Sequence, residues 1–528
     1  MGSLEAKVFP GDDTGGKEAG SYDKLDLRCS QNLSWANESS GSETFVHEVF
    51  CRDSQGAMGD FHTRSRYYNL FINGQYWGLY QSQERGDEHF AESYAGGDSL
   101  DWDVIKSSSE YANGKPIYAV EANEGTMDGW SNLWAVAVEN RAGLGAVYRR
   151  ALGCDADGTR NAAYPVLLDP TNLIHYALLT HYLVDGDCPV YEGDKIVNNM
   201  YALRDRTDGS HYDGKGSPFL GFFFLRHDGE FSFARRSGYG NSTPATDPTL
   251  WGTGSEWNTL ERFSPVKLHF ELMKGSAYRT ACADEFYRLF LRPEGAMTTE
   301  RNIARFARRM AEIDDAIACE AARWGSTSLN RAKWLTACNY CTNTFLAARM
   351  PHMLSQYRAR GWYPAIDPPT VVDEQGVSYA DGGEVPYGGK VALATTVDGG
   401  TVYYTTDGAS DPMDAGATVY AGPFAIPDSG FTVRARVLKD GEWSALEEVA
   451  LEADVPNDQR YGVRIAAIRN AAAVDPDEEF IVLTNVLDRA VPLEGLSIWS
   501  EKAGNALVKL AELGEGVEMP AGGTIRLE

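Results

Sequence analysis

The feature that most constrains this chain is a short run of bulky apolar residues that leads directly into acidic ones. Phe222–Leu225 consists of three phenylalanines and a leucine, a run typical of a strand buried on both faces. Asp228 and Glu230 follow just beyond it. An aspartate after four bulky apolar residues lies at the edge of a core, which favours a site for Asp228 over the alternative of a strand-end carboxylate in solvent.

A second polar segment lies upstream of this strand. An apolar, helix-like stretch ends at Val184 and opens into a loop that carries Asp187, Asn198 and Asn199. Phosphotransfer sites use a carboxylate beyond a buried strand, with an Asp and an Asn on a second loop, to hold a metal–nucleotide and orient a hydroxyl. The pattern alone leaves an alternative open, in which Asp187 is a turn residue and the two asparagines lie in an ordinary loop.

Length and charge restrict both the fold and the partners. A chain of 528 residues is too long for one core, so we expect two to four domains. The chain has 75 acidic and 48 basic residues, and its net charge of −27 repels nucleic acid and anionic membranes. No apolar run reaches the roughly 18 residues that a membrane helix requires. We therefore expect neither nucleic acid nor a membrane span.

Local patterns predict mixed helix and strand first and strands alone later. Residues 66–80 predict a β-hairpin around Asn73–Gly74, and Asp169–Pro170 has the form of a helix start. Apolar residues at spacings of three and four predict a long helix over Thr298–Trp324. Beyond a proline-rich joint at residues 363–369, short alternating segments indicate β-sandwich modules.

Two cysteines, Cys338 and Cys341, have the spacing of a metal or redox pair. A structural zinc site needs four ligands, and no second Cys or His pair lies nearby in the sequence. We predict either two buried thiols on a helix or one local disulfide.

A series of short motifs runs in order through the first 362 residues. They include Tyr22–Arg28 with Ser34–Trp35, Leu70–Tyr80, Phe90–Tyr94, Asp103–Lys106, Asp187–Pro189, Asn198–Asn199, His227–Glu230 and Glu320–Gly325. The series resembles the CotH family of atypical kinases, named after a spore-coat protein. The resemblance implies an α+β, protein-kinase-like domain over residues 1–362, with an N-terminal part that we expect to be incomplete.

The resemblance also implies a cleft that binds ATP with Mg²⁺ and phosphorylates Ser or Thr hydroxyls of proteins. It implies that Asp187 orients the acceptor hydroxyl, and that Asp228, Asn199 and Glu230 hold the metal. Mg²⁺ takes oxygen ligands, so these residue types suit it.

Two further residues are candidates for the nucleotide site. Lys106 is the expected phosphate-pairing lysine and Glu84 its carboxylate partner. The chain departs from the family pattern at Glu230, where the family usually has aspartate. A lysine-bearing segment of the family would also precede the first residue of this chain.

The last third resembles two small all-β sandwich domains. Residues 366–452, through Val402–Gly408 in particular, resemble the C-terminal module of chitobiase and hexosaminidase. Residues 460–528, through Phe480–Asn485, resemble a lamin-tail domain. Such modules typically accompany exported bacterial proteins, which implies a secreted or cell-surface protein, although this chain shows no signal peptide. They also imply association with the cell surface or with polysaccharide.

Three functions are compatible with these patterns. The first is a secreted Mg-ATP-dependent protein kinase that acts on protein substrates, including cell-surface or coat proteins. The second is a catalytically silent relative with a structural or adhesive role. The third is a carbohydrate-active protein, because Asp228 and Glu230 on an extended segment would point the same way, about 6–7 Å apart.

Overall fold

The structure is a computed structural model in which the chain separates into two compact units, Met1–Ala365 and Ile366–Glu528. It describes residues 4–9, 19–30, 32–37, 41–108, 110–112, 115–117, 119–139, 144–207, 221–234, 243–380, 382–386, 389–427, 430–454, 462–469, 480–500, 508–514 and 516–527. The sequence also predicts a second joint near residues 453–459, between the two β domains, and residues 455–459 of it lie outside these ranges.

The described part of the first unit contains ten α-helices. They are α1 (His47–Ala57), α2 (Glu88–Ala95), α3 (Asp128–Trp134), α4 (Leu144–Ala151), α5 (Pro170–Leu183), α6 (Pro265–Leu272), α7 (Ser276–Phe286), α8 (Thr299–Trp324), α9 (Arg331–Tyr340) and α10 (Ala347–Ala359). A π-helical segment, Cys341–Leu346, joins α9 to α10. None of the described helices is long and apolar enough to cross a membrane.

The strands of the first unit form small antiparallel sheets. They are β1 (Leu4–Glu5), β2 (Ser21–Tyr22), β3 (Leu25–Arg28), β4 (Ser65–Ile72), β5 (Gln75–Glu84), β6 (Trp102–Ser107), β7 (Glu110–Ala112), β8 (Lys115–Ile117), β9 (Val120–Glu124), β10 (Val190–Tyr191), β11 (Ile196–Val197), β12 (Tyr201–Asp205) and β13 (Phe223–Leu225). Two of these sheets frame the site, one in the order β3-β5-β4 and the other in the order β13-β12-β6-β9. With its helices, this unit confirms the α+β class.

The predicted hairpin is confirmed. Strands β4 and β5 pair around Asn73 and Gly74, whose φ angles of 51° and 81° give the left-handed turn that Asn-Gly favours. On its other edge β5 pairs with β3, so that Arg28 lies opposite Gln81. This pairing fixes the position of Arg28 at the end of β3.

Helix α5 is the buried axis of the first unit. Asp169 caps it by accepting hydrogen bonds from the backbone of Thr171 and Asn172, both at 3.1 Å, and Pro170 occupies the first turn as predicted. Every residue from Asn172 to Leu183 is buried, because α5 packs against α1, α6, α7, α10 and β13. The helix ends at Val184 in a left-handed conformation, which turns the chain into the loop of Asp187.

Strand β13 is an edge strand whose outer backbone groups bond to side chains. Asn172 Oδ1 accepts from the Phe224 amide at 2.6 Å, and Gln55 Nε2 donates to the Phe224 carbonyl at 2.6 Å. Gln55 Oε1 also accepts from the Arg226 amide at 2.8 Å. These amides replace a neighbouring strand and hold the segment that leads to Asp228.

The second unit is all β in its described part. Its strands are β14 (Thr370–Val372), β15 (Gly383–Pro386), β16 (Lys390–Ala394), β17 (Thr401–Thr405), β18 (Thr418–Val419), β19 (Phe424–Ala425), β20 (Phe431–Lys439), β21 (Glu442–Trp443), β22 (Glu447–Asp454), β23 (Val463–Arg469), β24 (Phe480–Asn485), β25 (Val491–Pro492), β26 (Ser497–Ser500), β27 (Val508–Glu512), β28 (Glu518–Met519) and β29 (Thr524–Leu527). One aliphatic core surrounds Val433 and Leu451, and another surrounds Leu483 and Leu493.

Cys338 and Cys341 lie on α9 and on the π-helical segment that follows it. Both are buried thiols, and they are not joined in a disulfide. The first of the two predicted alternatives for this pair is therefore the one observed.

Candidate functional site

The chain turns sharply after β13, at Asp228. Asp228 has a left-handed φ of 55° and precedes a 3₁₀ turn, Gly229–Phe231. A Cβ atom on Gly229 would lie 2.5 Å from Cys51 Sγ, so only glycine fits there. The prediction that Asp228 and Glu230 lie on one extended segment is wrong, because the turn separates the directions of their side chains.

Glu48, in the first turn of α1, fixes this turn. Its Oε1 accepts a hydrogen bond from the Asp228 amide at 3.1 Å, and its Oε2 accepts from the Gly229 amide. Arg52 Nε donates to the same carboxylate at 2.8 Å. Although burial raises the pKa of Glu48, Arg52 and Arg28 bring it down to about 2. Glu48 is therefore an ionised, buried anchor for the backbone of Asp228.

Arg28 connects Asp228 to this anchor. Its Nη2 lies 2.6 Å from Asp228 Oδ1, and its Nη1 lies 3.9 Å from Glu48 Oε1. Burial raises the pKa of Asp228, Arg28 opposes this effect, and the carboxylates of Glu48 and Asp187 raise the pKa further. Because the Asp187 carboxylate acts on the pKa of Asp228, the loop of Asp187 and the turn at Asp228 lie near each other. These are the two segments that the sequence singled out.

Glu230 interacts electrostatically with Asp228 and is 4% exposed. Its Oε2 accepts a hydrogen bond from the Asn32 amide at 3.2 Å. Its Oε1 is buried and has no hydrogen-bond partner among the residues described. Burial and the negative charge of Asp228 raise the pKa of Glu230 to about 8. A carboxylate this deep does not face Asp228 across an open sugar cleft, which disfavours a glycosidase pair.

Asp187 is held by the two asparagines of its own loop. Asn198 Nδ2 and Asn199 Nδ2 both donate to Asp187 Oδ2, each at 3.1 Å. The turn itself belongs to Asp185, whose Oδ1 accepts from the amides of Asp187 and Cys188 at 3.2 and 3.3 Å. The Asp187 carboxylate is fixed in orientation by the side-chain amides of the two asparagines.

A buried ion pair joins the two loops. Arg226 Nη2 bonds to Asp185 Oδ2, and both side chains are fully buried. Arg226 Nη1 also donates to Thr180 Oγ1 at 2.8 Å. Burial raises the pKa of Asp185 to about 6 despite the opposing charge of Arg226. Because Arg226 lies two residues before Asp228, this pair fixes Asp187 and Asp228 relative to each other.

His227 is an uncharged side chain that packs against Tyr201 and Arg52. Its ring lies 4.9 Å from that of Tyr201, edge to face, and its Nδ1 accepts from Arg52 Nη2 at 3.2 Å. Burial and the charge of Arg52 lower the pKa of His227 to about 3.

Lys106 and Glu84, expected as partners, do not meet. Glu84 is buried and accepts hydrogen bonds from the Arg64 amide at 2.8 Å and from the Tyr94 hydroxyl. Lys106 pairs in register with Tyr201 on β12, and in the described part of the chain it has no ion pair with Glu84. The close cation–carboxylate pair beside Asp228 is instead that of Arg52 and Glu48.

Acidic side chains outnumber basic ones at the site. Four acidic side chains, Glu48, Asp187, Asp228 and Glu230, lie with two guanidinium groups, Arg28 and Arg52. Within the residues described, no three His, Cys, Asp or Glu side chains surround a common metal position. A Mg²⁺ site of the phosphotransfer kind needs only one or two carboxylates, because phosphate oxygens and water complete the shell. The charge and the oxygen donors suit that kind of site.

Sequence reasoning identified Asp187, Asn199, Asp228 and Glu230 but missed the residues that position them. Glu48 and Arg52 form an i, i+4 pair, a signal that could have been read from the sequence. Arg28 and Arg226 gave no such signal, since their partners lie 200 and 41 residues away along the chain.

Comparison with known proteins agrees with the arrangement of two units. The model of the chitobiase/β-hexosaminidase C-terminal domain matches residues 380–448. No curated protein matches the chain. The model of the CotH kinase protein family matches residues 33–352, which include α1, both loops and the turn at Asp228. This match spans more than half of the chain, and the protein therefore belongs to the CotH family.

Proposed function

We propose that this protein is an atypical protein kinase that transfers the γ-phosphate of ATP, with Mg²⁺, to Ser or Thr hydroxyls of a protein substrate. One observation carries the proposal: Asp187 and Asn199 are bonded to each other on one loop, and the buried Asp185–Arg226 pair fixes that loop beside Asp228. Phosphoryl transfer depends mainly on positioning and charge neutralisation. Membership of the CotH family supports a kinase-like fold for the first unit.

Asp228, Asn199 and Glu230 would hold the metal. All three offer oxygen, the ligand atom that Mg²⁺ takes. Asn199 donates to Asp187 through its amide nitrogen, which leaves the amide oxygen for a cation. Glu230 Oε1 is a buried acceptor with no hydrogen-bond partner among the described residues, and a cation would satisfy it. When bound, Mg²⁺ supplies charge neutralisation at the nucleotide phosphates.

Asp187 would orient the acceptor hydroxyl and accept its proton. The two amide donors on Oδ2 hold the carboxylate in one orientation, as a positioning role requires. The carboxylate also lies close enough to Asp228 to act on its pKa, so a hydroxyl at Asp187 would be near a metal-bound phosphate.

Lys106 remains our proposal for a phosphate-binding lysine, without Glu84 as its partner. It lies in register with Tyr201, and Tyr201 lies in register with Leu225, three residues before Asp228. The backbone of Lys106 lies two strand spacings, of about 4.8 Å each, from the backbone of Leu225. The long lysine side chain can cover part of that distance. Glu84 would support the site only indirectly, through Arg64 and Tyr94.

A second candidate function is a catalytically silent relative with a structural or adhesive role. The observation that favours it is the contact between Arg28 and Asp228 Oδ1 at 2.6 Å, which occupies an oxygen that a metal would need. The glutamate at position 230, where the family usually has aspartate, points the same way.

The second unit supports a proposal about location. We propose that the protein acts outside the cell or at its surface, on cell-surface or coat proteins. Its β modules would act as spacers or attach to the surface or to polysaccharide. The match to a chitobiase-type module supports this proposal, and residues 460–528 remain proposed as a lamin-tail domain.

Phosphate transfer by the full chain tests the proposal. The chain is incubated with Mg²⁺ and γ-labelled ATP, with dephosphorylated casein as acceptor, beside the variants Asp187→Asn and Asp228→Ala. We expect Asp228→Ala to lose both binding and transfer. We expect Asp187→Asn to bind Mg-ATP but to transfer at least about 100-fold more slowly, because its amide cannot accept the proton.

The control is Arg331→Ala, which removes an exposed ion pair with Asp314 and should leave transfer unchanged. Binding of Mg-ATP without any transfer would favour the silent relative. Transfer that survives Asp228→Ala would contradict the proposed site.

A further inference from the structure

Arg28 is placed to do more than stabilise the fold. It is the last residue of β3, and its guanidinium lies at the opening of the site, 20% exposed beside a 19% exposed Asp228. Its Nη2 bonds to Asp228, whereas its Nη1 is buried and has no hydrogen-bond acceptor among the residues described. A buried N–H donor without an acceptor is unfavourable, so this one points to a missing ligand.

A purely structural role would be to neutralise Glu48, and the distances speak against it. Arg52 already contacts Glu48 Oε1 through Nε at 2.8 Å and Nη2 at 2.7 Å. Arg28 lies 3.9 Å from the same oxygen, beyond hydrogen-bonding distance. The close contact of Arg28 is with Asp228, the residue proposed to bind the metal.

A metal ion and a guanidinium group repel each other and compete for Asp228 Oδ1. Metal binding is therefore favoured when Arg28 moves or changes partner. A phosphate is the ligand best suited to a displaced guanidinium. Two phosphate oxygens can accept hydrogen bonds from two N–H groups of the planar guanidinium at once.

We propose that Arg28 is a phosphate-binding residue that leaves Asp228 and bonds to the nucleotide phosphates when the metal–nucleotide arrives. The inference rests on the proposed function and adds to it a residue and an order of events. Without nucleotide, Arg28 covers Asp228 and opposes a metal bound alone. With nucleotide, the phosphates take Arg28 and Asp228 is released to the metal.

Removal of Arg28 should therefore affect the two ligands in opposite directions. A free metal should bind more tightly, since its competitor at Asp228 is gone. A metal–nucleotide should bind more weakly, since its phosphates lose a charged donor. A merely structural arginine would weaken both, because its loss would disturb Asp228 itself.

The test uses the full chain, Mn²⁺ alone as the first probe and Mg²⁺ with a non-hydrolysable ATP analogue as the second. Calorimetric titration compares the wild type with Arg28→Ala, Arg28→Lys and the surface control Arg331→Ala. We expect Arg28→Ala to bind Mn²⁺ at least threefold more tightly and the metal–nucleotide about tenfold more weakly. Lysine keeps the charge but not the fork, so Arg28→Lys should lie between the two. The control should match the wild type.

Tighter Mn²⁺ binding by Arg28→Ala also shows that this variant is folded. If Arg28→Ala weakens both ligands equally or changes neither, while the wild type binds both, the inference is overturned and the proposed function stands. A wild-type chain that binds neither Mn²⁺ nor the metal–nucleotide overturns both.

Discussion

Around Asp228 the first unit buries charged side chains, whereas the core around Val433 in the second unit is aliphatic. Glu48, Arg52 and Glu230 are all buried at the site. In the second unit the buried cluster around Val433 consists of valine, leucine and alanine side chains. Both regions are buried interiors of the same chain. The charged side chains around Asp228 are therefore not a general consequence of burial.

The second unit also has a buried arginine, and it makes the comparison sharper. Arg436 is fully buried and bonds to both oxygens of Asp411, at 2.9 and 2.7 Å, with the carboxylate partly open to solvent. In contrast, Arg226 and Asp185 are both closed off from solvent. Replacing a buried ion pair with apolar residues is often neutral or stabilising, so we infer that the pair at the site serves position rather than stability.

The largest effect should come from breaking the Asp185–Arg226 pair. Arg226→Leu leaves the Asp185 carboxylate buried without its counter-charge, which should destabilise the first unit by about 4 kcal/mol and abolish Mg-ATP binding. Urea unfolding followed by thiol labelling reports on this unit alone, because all eight cysteines precede residue 342.

The double variant Asp185→Leu/Arg226→Leu and the single variant Arg436→Leu complete this test. The double variant should recover most of the stability without recovering nucleotide binding. Arg436→Leu should weaken only the second unit. Nucleotide binding by the double variant would contradict a positioning role for the pair.

A cavity in the aliphatic core should give the next largest effect. Leu451 is 2% exposed, and Leu451→Ala should destabilise the second unit by about 3 kcal/mol through lost burial and the space that remains. Faster hydrogen exchange at β20 and β22 would measure the change, with unchanged Mg-ATP binding. A loss of Mg-ATP binding in this variant would break the comparison.

The pH dependence of stability should also separate the two regions. His175 Nδ1 and Nε2 lie 3.0 Å from Asp60 Oδ2 and 2.8 Å from Glu285 Oε2, and Arg288 contacts Glu285 and the ring. Although burial lowers the pKa of His175, the two carboxylates raise it to about 10. A raised histidine pKa stabilises the fold fully below the unfolded value of about 6.5 and loses that effect as the pH rises towards 10.

His175 should therefore cost the first unit up to about 1.4 kcal/mol of stability per pH unit between pH 7 and 9, and His175→Gln should remove this part of the slope. All nine histidines precede residue 353, so the second unit should show no histidine-dependent slope. Urea unfolding at several pH values, with labelling pulses at one fixed pH, would measure both. An unchanged slope in His175→Gln would contradict the assignment.

The smallest effect concerns the like charges of the site. Glu230→Gln removes the cost of keeping the Glu230 carboxyl protonated beside Asp228, so it should stabilise the first unit without ligand by about 1 kcal/mol while weakening metal binding. Urea unfolding and Mn²⁺ titration would measure the two changes. A destabilised variant with unchanged Mn²⁺ affinity would show that Glu230 serves the fold.

Local signals explain how far the sequence predicts the structure. The Asn73–Gly74 turn and the Asp169–Pro170 helix start depend on neighbouring residues, and both were predicted. The extended conformation expected after β13 was wrong, because the left-handed Asp228 and the close approach of Gly229 to Cys51 depend on packing against α1. The partners of Arg28 could not be predicted, since they come from distant segments.

The most direct test of the central claim, that two loops form one Mg-ATP site, is thermal unfolding of the full chain with and without Mg-ATP, beside Asp228→Ala. A ligand at 100 times its dissociation constant stabilises the folded state by about 2.7 kcal/mol, which corresponds to about 3 °C for a unit of this size. We predict that rise for the first unit of the wild type, its loss in Asp228→Ala and its loss without Mg²⁺. No rise in the folded wild type, or an equal rise in Asp228→Ala, would contradict the account.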